Sequence, residues 1–159
     1  MKLPLPGAEF SQFLVTAKTA TYASKSDQFV VDPILPYSHQ LEYTAPPLRY
    51  RDIYYGGFHF PGLEVVFHQE LPIWAMTYYG GFTPGTQADE AGAMGDVLKA
   101  ALRNVPLAAP FRGPEIFRQG EFTYTNEMRG DLLQFLGQEF IYREDKKIYH
   151  LEYSGGVIE

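Results

Sequence analysis

Two glutamates occupy matching places in the chain, each in a Gly-x-Glu that leads into apolar residues: Gly62-Leu63-Glu64-Val65-Val66 and Gly137-Gln138-Glu139-Phe140-Ile141. On an extended strand Glu64 shares a face with Val66, and Glu139 with Ile141. A carboxylate set beside apolar surface is pushed toward its protonated form unless a cation or hydrogen-bond donors compensate. Such a pair can receive a cationic or hydrogen-bonding ligand, or act as general acid and base. If the strands instead turn these positions to solvent, the pair does no more than meet Arg51 or Arg143 across neighbouring strands. Arg112, between Phe111 and the Gly113-Pro114 turn, can bind an anion, pair with one of the repeated carboxylates, or cap carbonyls. His59, between Phe58 and Phe60 and close to Gly56-Gly57, is the histidine best placed to face a cleft.

Other chemistries lack their residues. There is no cysteine, which removes disulfides, thiolate-ligated zinc, iron–sulfur clusters and a thiol nucleophile. His39, His59, His68 and His150 do not form an i,i+4 pair, and H-E-x-x-H, G-x-S-x-G, the phosphate-loop signature and G-x-G-x-x-G are all absent. No metal and no cofactor are therefore expected. Double glycines at Gly56-Gly57, Gly80-Gly81 and Gly155-Gly156 mark close approach of backbone, either to another strand or to a ligand.

The glutamates belong to a longer internal likeness. Gly62 to Gly81 aligns without a gap on Gly137 to Gly156, with Gly62/Gly137, Glu64/Glu139, Ile73/Ile148, Tyr78/Tyr153, Gly80/Gly155 and Gly81/Gly156 identical. Trp74/Tyr149 and Met76/Leu151 keep side-chain character. Alternation of Trp74, Met76 and Tyr78 with Ala75 and Thr77, and of Tyr149, Leu151 and Tyr153 with His150 and Glu152, predicts half-buried strands. Turns at His68 to Leu71 and Glu144 to Lys147 make each copy a hairpin. A further strand is predicted before each, within Arg49 to Phe60 and Glu121 to Phe135. Helical spacing of Phe10, Phe13, Leu14, Ala17 and Thr21 places a helix ahead of the first set. Ala91, Met94, Val97, Leu98, Ala101 and Leu102 place another ahead of the second, whose start Gly92 and Gly95 would push beyond Asp89.

The expected fold is thus α+β: duplicated α-β-β-β units, residues about 8–81 and 89–156, forming antiparallel sheet with two helices on one face and pseudo-twofold symmetry. Its 159 residues suit a single domain with its own core. Twelve tyrosines exceed what a dry core of this size accommodates, because each buried hydroxyl needs a partner. Some are expected to line a partly wet cavity between the halves. Nineteen acidic against thirteen basic side chains disfavour direct nucleic-acid binding. The N-terminal segment is unlike a secretory signal, and no apolar run approaches a membrane span, so a cytoplasmic protein without membrane association is expected.

The segments Phe13-Leu14 to Tyr22-Ala23, Leu41-Glu42-Tyr43, Tyr54 to Val66, Pro72 to Gly80, Pro110 to Pro114 and Tyr153 to Gly156 resemble a bacterial family of domains of unknown function. Its members occur alone or C-terminal to Xre-type helix-turn-helix domains. That resemblance implies an effector-sensing role and supplies no catalytic residues. The site physics is also similar to that of GyrI-like effector-binding domains, duplicated units with an aromatic cleft and a central glutamate, although their repeat runs β-α-β-β. The expected function is binding of a small aromatic or cationic molecule by Tyr54, Tyr55, His59, Glu64, Trp74, Tyr78, Arg112, Tyr124, Glu139, Tyr149 and Tyr153. A small enzyme using Glu64 or Glu139 as acid or base, and a protein-interaction module whose exposed aromatics make a homodimer or partner interface, are the alternatives.

Overall fold

The computed structural model describes residues 3–24 and 27–159. Helix α1 (Gly7–Ala20) is followed by strands β1 (His39–Ala45), β2 (Leu48–Tyr54), β3 (His59–His68) and β4 (Leu71–Phe82). Helix α2 (Ala88–Leu102) then precedes β5 (Ile116–Gln119), β6 (Phe122–Gly130), β7 (Gln134–Arg143) and β8 (Lys146–Val157). All eight strands form one antiparallel sheet in the order β1-β2-β3-β4-β8-β7-β6-β5, so the two halves meet where β4 pairs with β8. The fold is α+β. Each helix is followed by four strands rather than the three expected from sequence. The additions are the outermost strands, β1 and the short β5, whose residues are mostly half-buried or exposed and carry little hydrophobic alternation. The single strand expected over Arg49 to Phe60 ends at Tyr54, and β3 begins at His59 beyond the Gly56-Gly57 turn.

One sheet face carries the core and the other is open. Leu48, Tyr50, Val66, Trp74, Met76, Tyr78, Ile141, Tyr149, Leu151 and Tyr153 pack inward, joined by Phe10, Phe13, Leu14 and Ala17 of α1 and Met94, Val97 and Ala101 of α2. Thr77, Tyr79, Glu152 and Ser154 on the intervening positions are exposed. That alternation is what a sheet buried on one face requires. Among the described residues, no helix is long and apolar enough to cross a membrane.

Helix α2 starts at Ala88, before the position that Gly92 and Gly95 suggested. Glu90 holds the start, its carboxylate accepting a 2.9 Å bond from Gln87 N and pairing with Arg143 at 3.1 Å. This backbone-capping and cross-element contact offsets the entropic cost of the two glycines.

Corresponding residues keep corresponding registers. Gly62 lies opposite Tyr78 and Glu64 opposite Met76; Gly137 lies opposite Tyr153 and Glu139 opposite Leu151. Each hairpin has one register shift, after Val66 and after Ile141. The tyrosine rings explain the first glycine of each matched segment, since a Cβ on Gly62 would overlap the Tyr78 ring and a Cβ on Gly137 the Tyr153 ring. Gly80 and Gly155 have a different cause: a Cβ there would run into backbone across the β4–β8 junction. Neighbouring strands, rather than a ligand, account for these two.

Gly137→Ala is expected to lower stability by about 1–3 kcal/mol in urea unfolding, because Tyr153 is anchored at its hydroxyl and cannot swing aside. Wild-type stability for this variant would contradict the packing described.

Candidate functional site

The core face of the sheet carries a buried polar layer. On the β6–β8 side its centre is Glu139, with no solvent exposure. Arg112 from the loop after α2 clamps it, Nε donating to Oε2 at 3.1 Å and Nη2 to Oε1 at 2.6 Å. Tyr124 donates to Oε2 at 2.6 Å and Tyr149 to Oε1 at 2.8 Å. The Tyr153 hydroxyl donates to Asn126 Oδ1 at 2.8 Å, and Asn126 Nδ2 donates to Gly113 O at 2.8 Å. Gly113 N donates to the Tyr124 hydroxyl at 2.9 Å, closing the circuit. Each carboxylate oxygen takes two donors, which is what a buried anion needs to persist.

The β2–β4 side has the same frame and a different outcome. Asp52 lies opposite Glu64 as Asn126 lies opposite Glu139, and Tyr78 donates to Asp52 Oδ1 at 2.8 Å. Lys18 of α1 pairs with Glu64 Oε2, both side chains fully buried. Here the satisfaction stops. Glu64 Oε1, the Tyr50 hydroxyl, Trp74 Nε1 and the Tyr22 hydroxyl are buried with no hydrogen-bond partner. Their rings surround Lys18, whose Nζ is 5.9 Å from the Tyr22 ring centre, 5.7 Å from Tyr50 and 6.0 Å from Trp74.

Charge counting sharpens the difference. Apart from Glu90, the buried charged side chains among the described residues are Lys18 and Arg112 against Asp52, Glu64 and Glu139, so two positive groups face three negative ones. Burial pulls the Lys18 ammonium below its ordinary range, against the pull of Glu64. Burial and then the Glu64 charge lift Asp52 from 3.8 to about 7, with the Tyr78 hydrogen bond, Lys18 and Arg112 opposing. The folded chain thus holds the Asp52 proton more tightly than the unfolded chain. The stability this contributes is full below the ordinary carboxylate range and is lost as pH rises toward 7.

Asp52 also lines a cleft of about 450 Å³ between α2 and the β2–β4 part of the sheet. Tyr22, Tyr54, Phe60, Tyr78 and Phe82 supply aromatic surface, while Met94, Gly95, Leu98 and Leu102 of α2 form an apolar wall. Arg112 reaches the floor with its guanidinium carbon 5.5 Å from the Tyr22 ring centre and 5.7 Å from Tyr78. A second concavity, on the exposed sheet face, is lined by Thr77, Tyr79, Glu127, Leu136, Gln138 and Glu152 among others. It meets the buried polar layer through Tyr78, which bonds Asp52, and Tyr153, which bonds Asn126.

Of the residues singled out from sequence, Tyr54, Tyr78 and Arg112 line the first cleft. Glu64, Trp74, Tyr124, Glu139, Tyr149 and Tyr153 lie in the buried layer beside it. Tyr55 and His59 are exposed and line neither concavity. The solvent-facing alternative for the glutamates is overturned, since both have zero exposure and pair with Lys18 and Arg112. Arg112 takes the carboxylate-pairing option. Lys18 and Asp52 were not singled out. Lys18 falls four residues after Leu14 on the apolar helix face, a misplaced charge that signals a buried partner. Among the described residues no three His, Asp or Glu side chains are grouped to hold a metal ion.

A domain family of unknown function, DUF5680, matches residues 52–158, and the chain belongs to that family. Neither the curated proteins nor the solved structures contain a match to the chain.

Paired hydroxyl deletions test the contrast between the two sides. Tyr124→Phe should cost about 1–3 kcal/mol in denaturant unfolding, because Glu139 loses a buried donor. Tyr50→Phe removes a hydroxyl with no partner and should be neutral or stabilising. Equal costs would contradict it.

Proposed function

We propose that this domain binds a small aromatic or cationic molecule in the cleft between α2 and β2–β4. One observation carries this reading: an aromatic-lined cleft of about 450 Å³ opens directly onto the incompletely satisfied side of a buried charge layer. Its volume and its mix of apolar wall with a few convergent polar groups match those of small-molecule sites. The two glutamates serve as fixed counter-charges behind the floor, since neither lines the cleft and Glu139 is fully engaged by four donors. The carboxylate offered to a ligand is Asp52. This division favours binding over acid–base catalysis by Glu64 or Glu139. The likeness between the halves, in sequence and register, supports descent from a duplicated unit in which one copy keeps a closed polar network and the other faces the ligand. An effector-sensing role and a cytoplasmic setting belong to the same proposal.

Gly95 provides the test. A side chain there meets nothing within 4 Å and would project into the cleft. Gly95→Leu should retain or raise stability, by roughly 0.5–1 kcal/mol from helix propensity. It should also abolish binding of whichever cationic, neutral or anionic aromatic compounds ligand-observed NMR detects with the wild type. Gly92→Ala, on the same helix but outside the cleft, should keep binding. Compounds that bind Gly95→Leu as well as wild type, or a wild type that binds none, would refute the site.

A further inference from the structure

We propose that the cleft selects an organic cation bearing N–H groups, an amine or amidine on an apolar body, with Asp52 as its counter-charge. This inference rests on the binding reading above and narrows it. With Asp52 ionised, the buried set holds one more negative group than positive ones, so an occupant with a single positive charge brings the layer to balance. Asp52 uses Oδ1 on Tyr78, and the carboxylate lines the cleft floor. Tyr22 lines the same floor, and its hydroxyl has no partner. A phenol oxygen accepts as well as donates, so Asp52 and Tyr22, from different elements, give the cleft a carboxylate and a buried unpartnered phenol beside it. The rings of Tyr22, Tyr54, Phe60 and Tyr78 present aromatic surface around that point, and aromatic faces attract cations. Phe82, Met94, Leu98 and Leu102 leave the rest of the cleft apolar, suited to an alkyl or aryl body.

An anion finds less there. Of the two cations that line the cleft, Arg112 has its Nε and Nη2 engaged by Glu139, and Lys99 lies at the exposed edge, away from the buried layer. Comparison with the other half points the same way. Asn126 fills the register position that Asp52 fills, and it donates to Gly113 O, a bond a carboxylate cannot make. The carboxylate at 52 therefore adds a charge that the equivalent network does without.

Asp52 faces Glu64 from β3, Lys18 from α1, Arg112 from the loop after α2, and the phenols of Tyr22, Tyr50, Tyr54 and Tyr78. Asp27 and Lys99 stand at the rim. With Asp52 held up to about 7, a cationic head competes with its proton, and binding releases that proton below this pH.

The test uses three matched probes, 4-phenylbutylamine, 4-phenylbutanol and 4-phenylbutyrate, titrated into the whole protein by NMR and calorimetry. The amine should bind best and should bind roughly fifty- to a hundredfold more tightly at pH 7.5 than at pH 5. Calorimetry at pH 6 in buffers of different ionisation enthalpy should show close to one proton released. Asp52→Asn should weaken the amine at least about tenfold and flatten its pH profile while leaving the alcohol unchanged. If that variant fails to fold, the wild-type pH profile and proton count decide alone. Equal binding of amine and alcohol, preference for the butyrate, or amine binding without pH dependence each overturns the cation inference and leaves the cleft intact. Binding of the amine that persists in Gly95→Leu would instead remove the cleft itself.

Discussion

Charge burial is the constraint around which this domain is arranged. A carboxylate deep in a protein costs several kcal/mol unless a cation and donors meet it. The sheet supplies three such carboxylates, Asp52, Glu64 and Glu139, while the two cations arrive from outside it. Lys18 fixes α1 over β3, and Arg112 fixes the loop after α2 over β7. The packing of both helical segments on the sheet is therefore polar as well as hydrophobic. Breaking either pair would strand a buried charge.

The two sides of the sheet treat the same frame differently. Around Glu139 the donors are tyrosines and a bidentate arginine, and Asn126 relays the network to backbone. Around Glu64 an ammonium replaces the guanidinium, Trp74 replaces Tyr149 and Asp52 replaces Asn126. An ammonium is a compact charge without the planar fork that saturates both oxygens. Indole can donate but its N–H finds no acceptor here. These three exchanges leave unsatisfied atoms and one uncompensated negative charge beside an open cleft, and it is from that imbalance that the binding function is inferred.

Much of this was legible in the sequence, and what was not has identifiable causes. Helices and hairpins follow from hydrophobic spacing, and the matched Gly-x-Glu motifs lead directly to the buried carboxylates. Arg112 was recognisable by its place in a Phe-Arg-Gly-Pro turn. Edge strand β5 escaped, and β1 was legible only as a short extended stretch at Leu41-Glu42-Tyr43, because with little of their surface buried these strands need no strong alternation. Asp52 escaped for a subtler reason. The ungapped likeness begins at Gly62 and Gly137, whereas Asp52 and Asn126 come into correspondence only through pairing with Glu64 and Glu139, across connections that differ by one residue. Lys18 was hidden within an apolar helix face, where spacing predicts burial and charge argues against it. Exposed His59 shows the converse, since flanking phenylalanines do not fix which way a residue near a turn points.

Titration of Asp52 by carboxyl-carbon NMR, assigned by comparison with Asp52→Asn, measures the imbalance directly. A midpoint close to 7 in the free protein is the expected result, since burial and Glu64 hold the proton on. A midpoint in the ordinary carboxylate range, near 3.8, would mean that the Asp52 charge is already compensated inside the protein, and a cationic occupant would then displace no proton.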